Sequence, residues 1–215
     1  MSAIEELKKE IADLGRKMLR SGLTHGTAGN LSARVPGEEK VVISPSHVPY
    51  ESIQSEDVLV VDLTGEVLEG ERNPSVESMM HLEIYKARPD VGGIMHAHSV
   101  YASALASVGK GIPAFLDEVV AIIGGTTEVA EYALPGTSEL AKNVLKALGK
   151  KNAVLLANHG TVCCGRNLAK AFEMTQGIER IAKIYVLALL LSGPKLLPDE
   201  VVELQQSRFE LLKQV

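Results

Sequence analysis

Three histidines are the residues of this sequence best suited to binding a metal ion. His96 and His98 are separated by one residue, so on a β-strand both imidazoles point to the same face and can reach one ion. His159 follows the apolar run Val154–Ala157 and precedes Gly160, which places it at the end of a predicted strand. Three neutral imidazoles suit zinc and leave a coordination position for substrate. The alternative interpretation of His96 and His98 is a pair of hydrogen-bonded strand histidines.

Glu77 is the carboxylate that could act beside such an ion. It lies at the start of a predicted helix, and the alternative interpretation is a first-turn acid stabilised by the helix dipole. His81 lies four residues further along, on the same helical face. It is either a partner for Glu77 or a surface or core histidine.

The segment Gly26–Asn30 has the composition of an anion-binding loop. Its glycines let the backbone approach a ligand, and its N–H and hydroxyl groups can hold a phosphate without much positive charge. Ser44–Ser46 and Ser75 offer further hydroxyl groups. Each piece alone is also typical of a turn, so a phosphate site requires that they meet in space.

The hydrophobic pattern predicts the elements that must position these residues. A capping box of Ser2 and Glu5 opens the first helix, which ends near Gly22. Further helices are predicted from Pro74 or Ser75 to Ala87, over Val100–Val108, Thr137–Leu148 and about Leu168–Leu191, and from Pro198–Asp199 onward. Strands are predicted at Leu31–Arg34, Val41–Ser44, Val58–Leu63, Glu66–Leu68, Ile94–His98, Ala153–Ala157 and Thr161–Cys164.

Helices and strands do not alternate strictly along the chain, and several strand pairs are close enough to be antiparallel. We therefore predict a single α/β domain over residues 1–215, with a central mainly antiparallel or mixed sheet covered by helices. The sequence contains neither the glycine pattern of a dinucleotide-binding fold nor that of a P-loop.

Composition excludes several classes of function. The chain has 215 residues, of which 46% are hydrophobic and 23% charged, and its formal net charge is −5. This balance excludes global disorder and offers no cationic field for nucleic acid. The first ten residues are too charged for a signal peptide, and Val91–Gly109, the longest stretch without charged residues, contains two histidines. We expect no nucleic-acid partner and no membrane span.

The two cysteines, Cys163 and Cys164, are adjacent, and a disulfide between them would be strained. They are interpreted as small apolar strand residues in a reducing compartment. A cytoplasmic location is therefore expected.

A set of segments resembles the class II aldolase/adducin family, most closely its fuculose-phosphate aldolase branch. In order, the segments are GTAGNLSAR, SPSHVPY, PSVESMMH, HAHS, PAFLDEVVAIIGG and NHGTV. The resemblance runs from Leu23 to about Leu191. It implies one zinc ion per subunit, bound by His96, His98 and His159. It also implies that Glu77 approaches the metal and serves as acid and base.

The same resemblance implies a substrate and an assembly. The positions that match the family's phosphate ligands are Gly29, Asn30, Ser46 and Ser75. The implied reaction is reversible cleavage of a ketose 1-phosphate, such as L-fuculose 1-phosphate, to dihydroxyacetone phosphate and a short aldehyde such as lactaldehyde. The implied assembly is a homotetramer with active sites between subunits. Alternatives within the family are a ribulose-phosphate 4-epimerase and a methylthioribulose-phosphate dehydratase, and a different class is a non-catalytic adducin-like binding module.

Some positions depart from the family pattern. In the phosphate set, His47 replaces a glycine and Val76 replaces a serine. Glu118, next to Asp117, replaces a tyrosine acid, and we predict that Glu118 acts at the aldehyde oxygen; the alternative interpretation is an ordinary helix carboxylate. The epimerases of the family use an aspartate in this region. No tyrosine follows Tyr185, so the tail tyrosine that closes a neighbouring site has no counterpart.

Overall fold

One β-sheet forms the centre of the protein. A computed structural model describes residues 2–212. The strands are β1 (Asn30–Arg34), β2 (Lys40–Ile43), β3 (Leu59–Asp62), β4 (Val67–Glu69), β5 (Gly93–Ala97), β6 (Val129–Ala130), β7 (Ala153–Leu156) and β8 (Gly160–Gly165). Over these residues the strand order is β4-β3-β2-β1-β5-β8-β7-β6. Neighbouring strands are antiparallel except for the parallel pair of β6 and β7. The prediction of a mainly antiparallel or mixed sheet is confirmed.

Helices cover both faces of the sheet. They are α1 (Ala3–Arg20), α2 (Ser78–Ala87), α3 (Val100–Ser107), α4 (Ser138–Leu148), α5 (Leu168–Leu191) and α6 (Asp199–Leu212). The alternation of apolar residues along the strands divides the core, because successive side chains point to opposite faces. Val41 and Ile43 of β2 pack with the face covered by α2 and α4, whereas Val42 packs with the face covered by α1 and α5. Part of α5 also packs with α3 in a third buried cluster.

Two element boundaries near the chemical residues differ from the predictions. Helix α2 begins at Ser78, not at Pro74 or Ser75. The preceding segment is held extended instead, because Pro74 forms a β-bridge with Pro45 and the Ser75 N–H donates to the Ser44 carbonyl at 3.2 Å. Glu77 therefore occupies the N-cap of α2.

Strand β5 ends at Ala97, so His98 lies one residue beyond the strand. The short strand β6, a 3₁₀ turn at Ser55–Asp57 and a π-helical turn at Val119–Ile123 were not predicted. By contrast, the bounds of α5 agree with the predicted Leu168–Leu191. Among the described residues, no helix has both the length and the apolar character needed to cross a membrane.

Candidate metal centre

The pairing of β5 with β8 brings the three histidines together. His96 lies on β5 opposite Val162, and Ala97 lies opposite Thr161 at the start of β8. Because the two strands are antiparallel, the end of β5 meets the turn that leads into β8, which carries His159. Residues far apart in the chain thus share one edge of the sheet.

The three imidazole rings surround one point. Their ring centroids lie 4.8 Å apart for His96 and His98, 4.7 Å for His96 and His159, and 4.8 Å for His98 and His159. One nitrogen from each ring lies within 4.8 Å of the others, and within residues 2–212 this is the one group of three or more potential metal ligands that meets this criterion. Nδ1 of His96 donates to the Thr161 carbonyl at 3.0 Å, which leaves Nε2 for the centre of the group.

Glu77 lies against the same point. Its Oε2 is 3.1 Å from Nε2 of His96, and its Oε1 is 3.6 Å from Nε2 of His159. Oε2 also accepts a hydrogen bond of 3.0 Å from Nδ2 of Asn30. Oε1 is buried and has no hydrogen-bond partner among the described groups, and the carboxylate does not cap α2. A cap on the helix therefore does not explain its position.

The protonation states of His98, His159 and Glu77 suit metal binding. For His96, burial acts to lower the pKa, but the Glu77 carboxylate and the Thr161 carbonyl outweigh it and raise that pKa, so this ring holds its proton more tightly than an ordinary histidine. Burial, together with the charge of His96, lowers the pKa of His98 to about 3 and that of His159 to about 4, so both rings are neutral at neutral pH. Burial acts to raise the pKa of Glu77, but His96, His159 and the Asn30 amide outweigh it and hold that pKa well below its ordinary value. Neutral imidazole and ionised carboxylate are the forms that bind cations.

A divalent metal ion fits this donor set. Three imidazoles converge, and beside them lies a buried carboxylate oxygen that has no hydrogen-bond partner within residues 2–212. His96, His98 and His159 would hold the ion, with Glu77 next to it. Nitrogen and carboxylate donors of this kind are typical of zinc and related transition metals.

The segments predicted to hold phosphate do meet beside Glu77. The Ser75 hydroxyl accepts a hydrogen bond of 3.3 Å from the Glu77 N–H. The Ser46 N–H donates to the Asn73 carbonyl at 2.8 Å, so the serine segments lie side by side. The Tyr50 hydroxyl then joins this region to the glycine loop by donating to the Gly29 carbonyl at 2.9 Å.

Gly29 is tied to the histidine group by close backbone packing. It has a φ of 77°, and a Cβ at this position would lie 2.6 Å from the His96 carbonyl oxygen. Asn30, the next residue, pairs with His96 across the β1–β5 ladder. The loop and the metal ligand therefore cannot move independently.

Substituting Gly29→Ala should displace the His96 backbone and weaken metal binding. We expect a loss of about 2–4 kcal/mol in the free energy of unfolding, from the left-handed backbone and the close contact, and a metal affinity about 10-fold lower. Gly26→Ala is the matched control, because Gly26 also has a positive φ of 57° but nothing lies within 4 Å of its Cβ position. It should lose about 1 kcal/mol and keep its metal affinity. Chemical unfolding and metal titration measure both, and equal metal affinities in the two variants would contradict the prediction.

The described contacts of Glu118 are with residues outside the histidine group. It pairs with Arg180 of α5, and Asp117 accepts a hydrogen bond of 2.6 Å from Gln205 of α6. None of the described contacts joins either acid to the histidine group. Within one chain, the structure brings Glu77 to the histidines but does not bring Glu118 there.

Two hydrogen bonds of the site were not predicted. Asn30 was expected among the phosphate ligands, yet its side-chain amide binds Glu77. His81 is neither exposed nor hydrogen-bonded to Glu77: it is fully buried, and its Nδ1 lies 2.6 Å from the Ser32 hydroxyl. Of the alternatives for His81, the core histidine is the one observed. The alternating spacing of Asn30 and Ser32 on β1 was the available signal, since both had to face the same way.

Comparisons with known proteins agree with this geometry. The profile of the family described as Class II Aldolase and Adducin N-terminal domain matches residues 9–186. A 5-deoxy-D-ribulose 1-phosphate aldolase of Bacillus thuringiensis serovar kurstaki is 40% identical over 207 residues, which cover 96% of this chain and 97% of the relative. An L-fuculose phosphate aldolase of Escherichia coli K12 is 34% identical over 206 residues, covering 95% and 94%. The solved structure of an L-fuculose 1-phosphate aldolase superposes with a TM-score of 0.91 and 42% identity, covering 95% of this chain and 96% of that one.

Proposed function

The chain belongs to the class II aldolase and adducin family, and from this premise we propose that it reversibly cleaves a ketose 1-phosphate to dihydroxyacetone phosphate and a short aldehyde. The observation that carries the proposal is the convergence of three imidazoles and one ionised carboxylate at a single point. The relatives named as aldolases support the same reaction class. Class II aldolases are metal-dependent, and we propose zinc, one ion per subunit, because three imidazoles match its usual catalytic ligand set.

The reaction is simplest to follow in the direction of condensation. Glu77, ionised at neutral pH, takes a proton from the unphosphorylated hydroxymethyl carbon of dihydroxyacetone phosphate. That carbon then forms a bond with the aldehyde carbon, and the aldehyde oxygen gains a proton to become a hydroxyl. Cleavage reverses these steps, so Glu77 returns the proton to carbon. A bound divalent cation supplies Lewis-acid stabilisation of the negative charge that develops on the substrate oxygens.

The phosphate group requires neutral donors in this site. We propose that Gly29, Asn30, Ser46 and Ser75 surround it. Two contacts support this: the serine segments lie side by side next to Glu77, and the Tyr50 hydroxyl binds the glycine loop at Gly29. A phosphate bound there would keep the reacting carbons of the substrate beside the carboxylate.

The aldehyde distinguishes the two named aldolase activities. Cleavage of a 5-deoxyribulose 1-phosphate between carbons 3 and 4 releases acetaldehyde, whereas L-fuculose 1-phosphate releases lactaldehyde. Identity is about equal for the two activities, at 40% to the deoxyribulose-phosphate relative and 42% to the solved fuculose-phosphate structure, so both aldehydes are candidate substrates. Both aldehydes end in a methyl group.

The deciding experiment is condensation of dihydroxyacetone phosphate with each aldehyde, with and without a chelator. We expect a ketose 1-phosphate to form only in the absence of chelator, and the aldehyde that condenses faster identifies the substrate. An epimerase would instead interconvert ribulose and xylulose phosphates, and a dehydratase would release water from methylthioribulose phosphate without breaking a carbon–carbon bond. If the purified protein contains no metal and has none of these activities, the adducin-like binding module would be favoured.

We extend the proposal to a homotetramer with active sites between subunits. Large apolar side chains beside the site support this. Val76, next to Glu77, is 59% exposed, Met79 is 42% exposed, and Val100, two residues after His98, is 67% exposed. Covering such residues would favour association. Light scattering that gives the mass of a single chain would contradict it.

Glu118 is proposed as the acid at the aldehyde oxygen. Its pairing with the exposed Arg180 places it at the surface, where a neighbouring subunit could receive it. Glu118→Ala should therefore slow condensation and cleavage by about 10- to 100-fold while metal content stays the same. Glu173→Ala is the control, because Glu173 is an exposed acid on α5 paired with Lys170. A rate in Glu118→Ala equal to that of the control would remove Glu118 from the mechanism.

A further inference from the structure

A row of polar contacts joins one face of β1 to α2. The contacting pairs are Asn30 with Glu77, Ser32 with His81, and Arg34 with Tyr85. The strand residues are two apart and the helix residues four apart. Two residues of a strand span about 6.6 Å, and four residues of a helix span about 6.0 Å. The two spacings match, so each helical turn meets the next side chain on the same face of β1.

The middle pair of this row is buried most completely. Ser32 and His81 are both fully buried, and the Ser32 hydroxyl lies 2.6 Å from Nδ1 of His81 and 2.9 Å from the Tyr85 hydroxyl. Burial lowers the pKa of His81 to about 3, so the imidazole is neutral. Its Nε2 is buried without a hydrogen-bond partner among the described groups. Ser32 is therefore the one hydrogen-bonding anchor for this ring.

The first pair holds the proposed catalytic carboxylate. Glu77 lies one helical turn before His81, at the N-cap of α2, and it makes no capping hydrogen bond to the helix. Its connection to β1 is a single bond from Asn30. The position of Glu77 therefore depends on the register of α2 along β1.

We propose that Ser32 and His81 form a positioning pair that fixes the register of α2 on β1 and thereby places the Glu77 carboxylate beside the histidine group. This inference rests on the proposed function, because Glu77 is taken as the group that moves the proton. His96 lies on β5, His98 directly follows β5, and His159 lies in the turn before β8, so loss of the pair does not release the three imidazoles. The apolar face of α2, with Met80 and Ile84 in the core, keeps the helix packed.

Two substitutions break the pair, and one preserves it. Ser32→Ala removes the hydroxyl, and His81→Leu removes the imidazole at similar volume. His81→Asn is the conservative variant, because the asparagine amide can occupy the position of Nδ1 and keep the bond to Ser32. Tyr85→Phe is the control: it removes only the hydroxyl contact to Ser32, on the side of the pair away from Glu77.

We expect Ser32→Ala and His81→Leu to lower kcat by about 10- to 100-fold, since a displacement of about 1 Å in a catalytic group has effects of this size. KM and the affinity for zinc should change by less than about 3-fold, because the phosphate loops and the histidines stay in place. His81→Asn should recover most of kcat, and Tyr85→Phe should retain it. An unchanged kcat in Ser32→Ala and His81→Leu would overturn the proposal, as would an equal loss in Tyr85→Phe.

Crystal structures of the metal-free variants give a readout that does not depend on activity. In Ser32→Ala and His81→Leu, the distance from Glu77 Oε2 to His96 Nε2 should exceed the 3.1 Å of the parent, while the three imidazoles stay together. An unmoved Glu77 in both variants would overturn the positioning role even if the parent is an active aldolase. If Glu77 is displaced in both variants but the parent protein has no aldolase activity, the positioning role is retained and the proposed function is rejected.

Discussion

Replacing Glu77→Gln is expected to reduce aldol condensation and cleavage by about 10²- to 10⁴-fold while the protein stays folded and binds metal. The substitution removes the ionised oxygen that exchanges a proton with carbon. It leaves all three imidazoles in place, so the metal should be retained. Rates measured in both directions, with metal content per chain, test the two parts of this expectation.

The hydrogen bonding around Glu77 makes the glutamine variant a clean test. Nδ2 of Asn30 now donates to the carboxylate, and Oδ1 of Asn30 is buried and has no hydrogen-bond partner in the described part of the chain. A 180° rotation of the Asn30 amide would let Oδ1 accept from the new glutamine amide. The variant can therefore keep the shape of the site and lose only the charge.

A second acid on the same helix serves as the control for this substitution. Glu83 of α2 is exposed and forms an ion pair with Lys86 at 2.7 Å. Glu83→Gln should keep the parental rate, because exposed pairs of this kind contribute little to stability. If Glu77→Gln also kept the parental rate, proton transfer would have to be assigned to another group.

The histidine group could be predicted because it depends on local rules. Strand alternation places His96 and His98 on one side, and an apolar run before His159 marks the end of a strand. Strand alternation did not predict that His98 lies one residue beyond the end of β5. The segment between β5 and α3, not the strand itself, orients the second imidazole.

The surroundings of Glu77 depend on contacts that no local pattern contains. The bond between Asn30 and Glu77 joins residues 47 positions apart, and that between Ser32 and His81 joins residues 49 positions apart. Hydrophobic periodicity predicted the helix but placed its start too early, since the bridge between Pro45 and Pro74 is also a long-range contact. The same limit applies to β6, whose two residues pair in parallel with β7 and carry no periodic signal of their own.

Substitution of His159→Ala should abolish stable metal binding and reduce aldolase activity by about 10³-fold or more, because Lewis-acid stabilisation contributes several kcal/mol to such reactions. Two of the three imidazoles would remain: His96 on β5 and His98 directly after it. His159 is the ligand that ties the turn before β8 to that segment, so its loss opens the group on one side. Metal analysis after dialysis and activity with added zinc measure the effect.

The same variant should also lose the stabilisation that metal gives the parent protein. A ligand present at 1,000 times its dissociation constant stabilises the folded state by about 4 kcal/mol. The parent should therefore show a higher Tm with zinc than with a chelator, whereas His159→Ala should show the same Tm in both. His47→Ala is the matched control, because it removes an exposed imidazole that lies outside the group and should leave the metal-dependent shift in Tm intact. A parental shift in His159→Ala would mean that the stabilising ion binds at another place, and the three converging imidazoles would then need a different explanation.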